Sequence, residues 1–213
     1  MQPKYILFDV AGTLLHKPTV YSAIHKVLLE NNIQLDEIKI KFHHKLLSEY
    51  FVFPDQTDAE FYKKFNSELL YSLGIIPNPE LLNQMFKACT YLPWEKFTDT
   101  IFLNEIKTPI GIISNFNSTL KDKLKTFFDI SFLDIFVSEE LGIAKPNKIF
   151  YQKAIDKIGV MPNEIVYVGD SIKLDIEPAL SLGINALLID RENYFPALKN
   201  RITSLNDLNK ILC

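Results

Sequence analysis

The feature that most constrains this chain is a short apolar run, Tyr5-Ile6-Leu7-Phe8, that ends on Asp9 and is broken at once by Ala11-Gly12-Thr13. A β-prone run without polar alternation fits a strand buried on both faces, as in a parallel sheet. Runs of the same kind recur at residues 109–114, 135–138, 165–170 and 185–190. Between them lie stretches with helical period, among them 118–128 and 148–158. Strands alternating with helices of this length predict an α/β fold built on a doubly wound, Rossmann-like parallel sheet.

Residues 18–93 break that rhythm. They carry no buried-strand pattern and read as amphipathic helices over 20–30, 36–50, 58–73 and 79–91. The breaks fall at Asn31-Asn32, at Pro54-Asp55 and over 74–79, all turn or helix-stop chemistry. The expected organisation is therefore a core of residues 1–16 and 94–213, with an all-α insert of residues 17–93 after the first strand. An insert at that point would lie over the carboxyl ends of the strands, where open α/β sheets bind ligands.

Composition narrows the function classes. The 213 residues carry 23 Lys and Arg against 26 Asp and Glu, a net charge of −3, with no basic stripe. Such a chain has no electrostatic reason to hold a nucleic-acid backbone. Its two cysteines, Cys89 and Cys213, make neither a disulfide framework nor a CxxC metal pair. No apolar segment suits a signal peptide or approaches a membrane span, so the expected location is the cytoplasm. Nothing in the sequence speaks to oligomeric state.

The acids carry the chemistry. Asp9 ends the first run, Asp170 ends the fourth, and Asp175 follows shortly after. Carboxylates gathered at one sheet edge repel each other unless a cation sits among them, and oxygen ligands with room for water and phosphate suit Mg²⁺. The plainer alternative for Asp175 is a cap on the helix that carries Pro178 and stops at Gly183. Ser114 and Asn115 follow a strand directly, so a hydroxyl and neighbouring N–H groups there can hold a phosphate oxygen. The alternative is that Asn115, Asn117 or Ser118 only caps a helix. Lys145 precedes Pro146, which is placed to open the next helix. It is either a solvated lysine or a positive charge set among carboxylates and phosphate.

Taken in order, FDVAGTL (8–14), IISN (112–115), AKPNKIF (144–150) and VGDS (168–171) with Asp175 resemble the four motifs of the haloacid dehalogenase superfamily. The helical insert resembles that family's small helical cap. The resemblance implies that Asp9 attacks phosphorus on a small phosphorylated substrate and forms an aspartyl-phosphate. It places Gly12, Thr13, Ser114, Asn115 and Lys145 around the phosphoryl group. Asp9, the backbone carbonyl of Ala11 and Asp170 would bind Mg²⁺, with Asp175 as ligand or just behind. Catalysis would be mainly electrostatic clamping of an in-line transfer.

One position departs from the pattern. The family's phosphatases usually carry a second aspartate two residues after the nucleophile, which protonates the leaving group and later activates water. Here that residue is Ala11. Its absence costs about 10²–10⁴-fold in acid–base catalysis unless another group serves. His16 is the nearest titratable candidate. Family members that act on carbon–halogen bonds also lack the second aspartate, but they lack a metal-site acid pair, which Asp170 and Asp175 supply here. Those that cleave phosphonoacetaldehyde carry alanine at this position and use a cap lysine. The insert offers Lys26, Lys39, Lys41, Lys45, Lys63, Lys64 and Lys87, none in a telling context, and these enzymes favour arginine in place of Lys145. A non-catalytic protein that binds Mg²⁺ and a phospho-ligand is the remaining alternative. Tyr21, His25, His43, His44, Tyr50 and Trp94 are the candidates for substrate contact from the insert, and the sequence singles out none of them.

Overall fold

The computed structural model describes residues 2–54 and 57–212. The break expected at Pro54-Asp55 lies partly outside these residues, and Cys213 lies wholly outside them. The chain divides into two compact units, Met1–His16 with Lys96–Cys213, and Lys17–Glu95.

The first unit is built on a six-stranded sheet. Its strands are β1 (Tyr5–Phe8), β4 (Ile110–Ser114), β5 (Asp134–Val137), β6 (Ile165–Gly169), β7 (Asn185–Ile189) and β8 (Arg201–Ile202), in spatial order β5-β4-β1-β6-β7-β8. The short strands β2 (Leu15–His16) and β3 (Glu95–Lys96) mark where the chain leaves this unit and returns. Every neighbouring pair in the sheet is parallel; Ile6 aligns with Ile110 on one side and with Val166 on the other. All four residues of β1 are buried, Ile6, Leu7 and Phe8 completely. That is why the run reads as continuously apolar. β8 went unpredicted because two residues make no periodic signal.

The order reverses around β1, which has β4 on one side and β6 on the other. The carboxyl ends of these three central strands therefore form the switch point at which α/β sheets place their ligands. Helices α5 (Leu120–Phe127), α6 (Ser138–Leu141), α7 (Lys148–Ile158), α8 (Glu177–Ser181) and α9 (Asn209–Leu212) complete this unit. Tyr151 of α7 and Tyr167 of β6 meet edge to face at 5.6 Å in its core, with no exposed surface. Pro146 does not open α7. The helix starts at Lys148, because the Asn147 carboxamide oxygen accepts from the Ile149 N–H at 3.0 Å and caps it.

The second unit contains α1 (Val20–Glu30), α2 (Glu37–Ser48), α3 (Ala59–Ser72) and α4 (Pro79–Cys89). Asp36, Asp58 and Asn78 cap the last three, accepting from Ile38, Phe61 and Leu81 N–H at 2.9, 2.7 and 2.9 Å. The first two are residues that the sequence pattern counted as helical. Ile24, Leu28, Ile40, Leu69, Leu70 and Met85 form the core between the helices. His44 packs against Tyr21 and Phe65, and burial, helped by the Lys45 charge, pushes its pKa down to about 4. It is a neutral ring in an aromatic cluster. His43 instead pairs with the Ser72 hydroxyl at 3.1 Å. Among the described residues, no helix is long and apolar enough to cross a membrane.

Candidate active site

Asp9 is held at the end of β1 by a backbone bond, its N–H donating to the Val168 carbonyl at 2.9 Å. The chain then turns back tightly. The Val10 carbonyl accepts from Leu14 and Leu15, each at 2.9 Å, and Gly12 N–H donates to Leu15 at 2.8 Å. Gly12 sits at φ +87°, and a Cβ there would lie 2.4 Å from a carboxylate oxygen of Asp170. The glycine therefore meets two needs, a left-handed turn and room for an acid. Gly12→Ala should destabilise the protein by about 1–3 kcal/mol and shift Asp170. Urea unfolding and a Mg²⁺ titration check this; unchanged stability would show that the turn tolerates a side chain.

Three side chains donate to Asp9. Thr13, fully buried, donates to Oδ2 at 3.3 Å, and Ser114, 1% exposed at the end of β4, donates to Oδ1 at 3.2 Å. The Lys145 Nζ donates to Asp9 Oδ1 and to Asp175 Oδ1, both at 2.6 Å. Lys145 is 3% exposed, which excludes the solvated-lysine alternative. Asp170 follows β6 directly, with its carboxylate against Gly12.

Asp175 does not cap the Pro178 helix, whose N-cap is Ile176. It sits in a wide helical turn in which Asp175 and Ile176 N–H both donate to the Ser171 carbonyl. Its own oxygens are well occupied. Oδ1 accepts from Lys145 and from the Tyr167 hydroxyl at 2.7 Å, and Oδ2 accepts from Ser171 N–H at 3.0 Å. Gly169 makes room for it, since a Cβ there would lie 2.4 Å from its carboxyl carbon.

Asn115 acts as a strut. Its carboxamide donates to the Lys145 carbonyl at 3.0 Å and accepts from the Lys145 N–H at 2.7 Å, so its side chain fixes the lysine's backbone. What it can offer a phosphate is its own N–H. The short helix α5 has no side-chain cap at its N-cap Thr119, although the Asn117 side chain accepts from Thr119 N–H at 3.1 Å. Ala11 is exposed at the head of the turn. His16 is stacked flat on Phe97 at 3.9 Å, a packing role.

The electrostatics follow from burial. Burial lifts the Asp9 carboxyl to about 6; Lys145 pulls it down, while Asp175 and Asp170 push it up again. For Lys145, burial works against the charge, but Asp175 and Asp9 more than offset it and its pKa is raised. The Tyr167 hydroxyl is held well above its usual range, by burial first and then by Asp175.

Asp9, Asp170 and Asp175 each offer a carboxylate oxygen, all within 4.8 Å of one another. Hard oxygen donors in a group this small fit a magnesium-sized cation. An ion held here would share the Asp9 and Asp175 oxygens with the donors those acids already accept from.

The sequence reading missed Tyr167, whose hydroxyl is hidden inside an apolar run, and Arg191 with Asp99, a pair 92 residues apart that grips the turn after Asp9. Nothing in the local sequence signals either.

Residues 3–183 match the family described as haloacid dehalogenase-like hydrolase. The chain is 40% identical over 216 residues to a glyceraldehyde 3-phosphate phosphatase of Methanopyrus kandleri, covering 90% of this chain and 85% of that protein. It is 29% identical over 151 residues to the pyrimidine 5'-nucleotidase YjjG of Escherichia coli, covering 64% of this chain and 63% of YjjG. Among solved structures it resembles the HAD-hydrolase YfnB of Bacillus subtilis, described bound to magnesium. The TM-score is 0.68 at 23% identity, covering 100% of this chain and 99% of that one.

Proposed function

The chain belongs to the haloacid dehalogenase-like hydrolases, and from that premise we propose that it is a Mg²⁺-dependent phosphatase of a small phosphorylated metabolite, working through Asp9. The observation that carries this reading is the acidic trio, Asp9, Asp170 and Asp175, within 4.8 Å of one another beside a buried lysine. A neutral carbon–halogen bond needs no cation to screen it, so three carboxylates in so small a group favour the phosphate reading. We read the helical unit Lys17–Glu95 as the cap that selects the substrate. The Methanopyrus relative's name makes glyceraldehyde 3-phosphate the first natural compound to try.

The roles follow from the hydrogen bonds. Asp9 Oδ2, held by the Thr13 hydroxyl, would be the atom that attacks phosphorus. Lys145 and Ser114 are placed to hold phosphoryl oxygens as charge shifts off the Asp9 carboxylate. Bound Mg²⁺ would neutralise phosphoryl charge and offset the repulsion among the acids. Asp175 and Tyr167 keep the Lys145 ammonium charged and pointed at Asp9. Ala11 has no proton to give, so the leaving group departs with its own charge, which favours esters of acidic alcohols.

The test is hydrolysis of p-nitrophenyl phosphate with and without Mg²⁺, beside Asp170→Asn. Metal-dependent turnover that Asp170→Asn lowers by about 10³-fold is expected. Metal-independent turnover of a 2-haloacid, with none of the phosphate ester, would overturn the reading. Under single-turnover conditions Ala11→Asp should speed phosphorylation of the enzyme by alkyl phosphates about tenfold or more, and by p-nitrophenyl phosphate far less. An equal effect on both would show that leaving-group protonation is supplied elsewhere.

A further inference from the structure

Arg191, just beyond β7, spends four N–H donors on three partners. Its Nε and Nη2 grip the Asp99 carboxylate at 3.0 and 2.8 Å, in the paired geometry of a guanidinium on a carboxylate. Nη1 and Nη2 also donate to the backbone carbonyls of Gly12 and Thr13, at 3.3 and 2.9 Å. The guanidinium lies 3.8 Å over the Phe97 ring, whose partner in stacking is His16. Phe97 N–H in turn donates to the Leu14 carbonyl at 3.1 Å, and Asp99 Oδ2 accepts from Leu205 N–H at 3.0 Å.

These contacts tie one short turn from outside. Gly12 and Thr13 are the residues whose placement leaves room for Asp170 and sets the hydroxyl that holds Asp9 Oδ2. Their carbonyls accept from the guanidinium. A planar cation with several donors can satisfy two carbonyls and a carboxylate together; an ammonium cannot reach all three in one geometry. The pair is only partly solvated, at 17% and 12% side-chain exposure, so it is less screened than a surface ion pair.

We propose that Arg191, anchored by Asp99, is a positioning residue that fixes the Asp9–Thr13 turn for attack. It rests on the reading of Asp9 as nucleophile. A displacement of about 1 Å far from the chemistry can cost about 10²-fold in rate, and this clamp acts on that scale.

The test uses Arg191→Lys, Arg191→Ala and Asp99→Asn in the full chain. With p-nitrophenyl phosphate under single-turnover conditions, Arg191→Lys is expected to slow the release of p-nitrophenol, which reports the attack on phosphorus, by about 10²-fold. Added guanidinium ion should restore part of the Arg191→Ala rate, and ammonium should not. Amide exchange at Gly12, Leu14 and Leu15 should quicken by about tenfold in each variant, with that of β1 unchanged. A purely structural clamp would lower the melting temperature and leave that single-turnover rate and this local exchange as in wild type, which would overturn the proposal. If the arginine variants do not fold, Asp99→Asn gives the same readings with smaller effects. If the wild type does not turn over the ester, the phosphatase reading fails, and the exchange pattern still decides the clamp.

Discussion

Asp9→Asn is expected to abolish phosphate-ester turnover, by about 10⁴-fold or more, while making the metal-free protein harder to melt. The first half follows from losing the nucleophile. The second follows from burial, which lifts the carboxyl from its ordinary 3.8 to about 6. Between those values the folded protein holds a proton that the unfolded chain has released. The group's favourable contribution is therefore complete below 3.8 and is lost as pH rises through about 6. Above that the folded state bears the cost of a buried charge, which an asparagine does not carry. In melts without Mg²⁺ near about pH 8 the variant should gain several degrees, and the gain should vanish near about pH 4. A bound cation should shrink the difference, because it removes the same repulsion. A variant less stable than wild type at the higher pH would show that the lysine fully offsets burial. Stability sacrificed at a reacting group is the usual exchange of fold for function.

Lys145→Met should have the opposite sign. It leaves Asp9 and Asp175 buried without their shared cation, and breaking a buried pair by removing one partner costs about 3–5 kcal/mol. In a chain of this size that lowers the melting temperature by about 10 °C. The lysine's own pKa is raised above its ordinary 10.5 by Asp175 and Asp9, against burial. Its stabilisation is thus complete below 10.5 and lost only above, as pH rises through the folded value. What varies near neutrality is the variant's pair of uncompensated acids. The melting deficit should grow as pH rises through the carboxylate range and shrink when Mg²⁺ is added. Turnover should fall by about 10²–10³-fold, the usual effect of losing one charge-stabilising donor. A melting temperature within a degree or so of wild type would mean that water already reaches these acids.

The sheet could be read from sequence because its central strands are buried on both faces, which forces an unbroken apolar run with an abrupt polar end. β1, β4 and β6 follow that rule, and the acids at the ends of β1 and β6 and the serine at the end of β4 stand out by contrast. The helical segment was readable for a similar reason, its caps Asp36, Asp58 and Asn78 falling where the apolar period begins. Long-range polar pairing was hidden. Tyr167 counts as one more apolar residue until its hydroxyl is seen on Asp175. Arg191 looks like a charge after a strand until Asp99 and the Gly12 and Thr13 carbonyls are placed around it. Asn115 reads as a phosphate ligand or a cap, and only the fold shows it bracing the Lys145 backbone. His16 was attractive because it is close to Asp9 in sequence, and the structure occupies its ring with Phe97.

An aspartyl nucleophile at Asp9 must itself become phosphorylated, and Ala11 makes that step open to direct observation. Attack on p-nitrophenyl phosphate needs no leaving-group proton, whereas hydrolysis of the aspartyl-phosphate needs a base that Ala11 does not supply. Rapid mixing with this ester and Mg²⁺ should therefore give a burst of p-nitrophenol equal to the enzyme present, followed by slow turnover. Acid-quenched samples should carry one phosphoryl group on the peptide that contains Asp9. Steady release of p-nitrophenol with no burst and no phosphorylated Asp9 peptide, even under single-turnover conditions, would contradict the account.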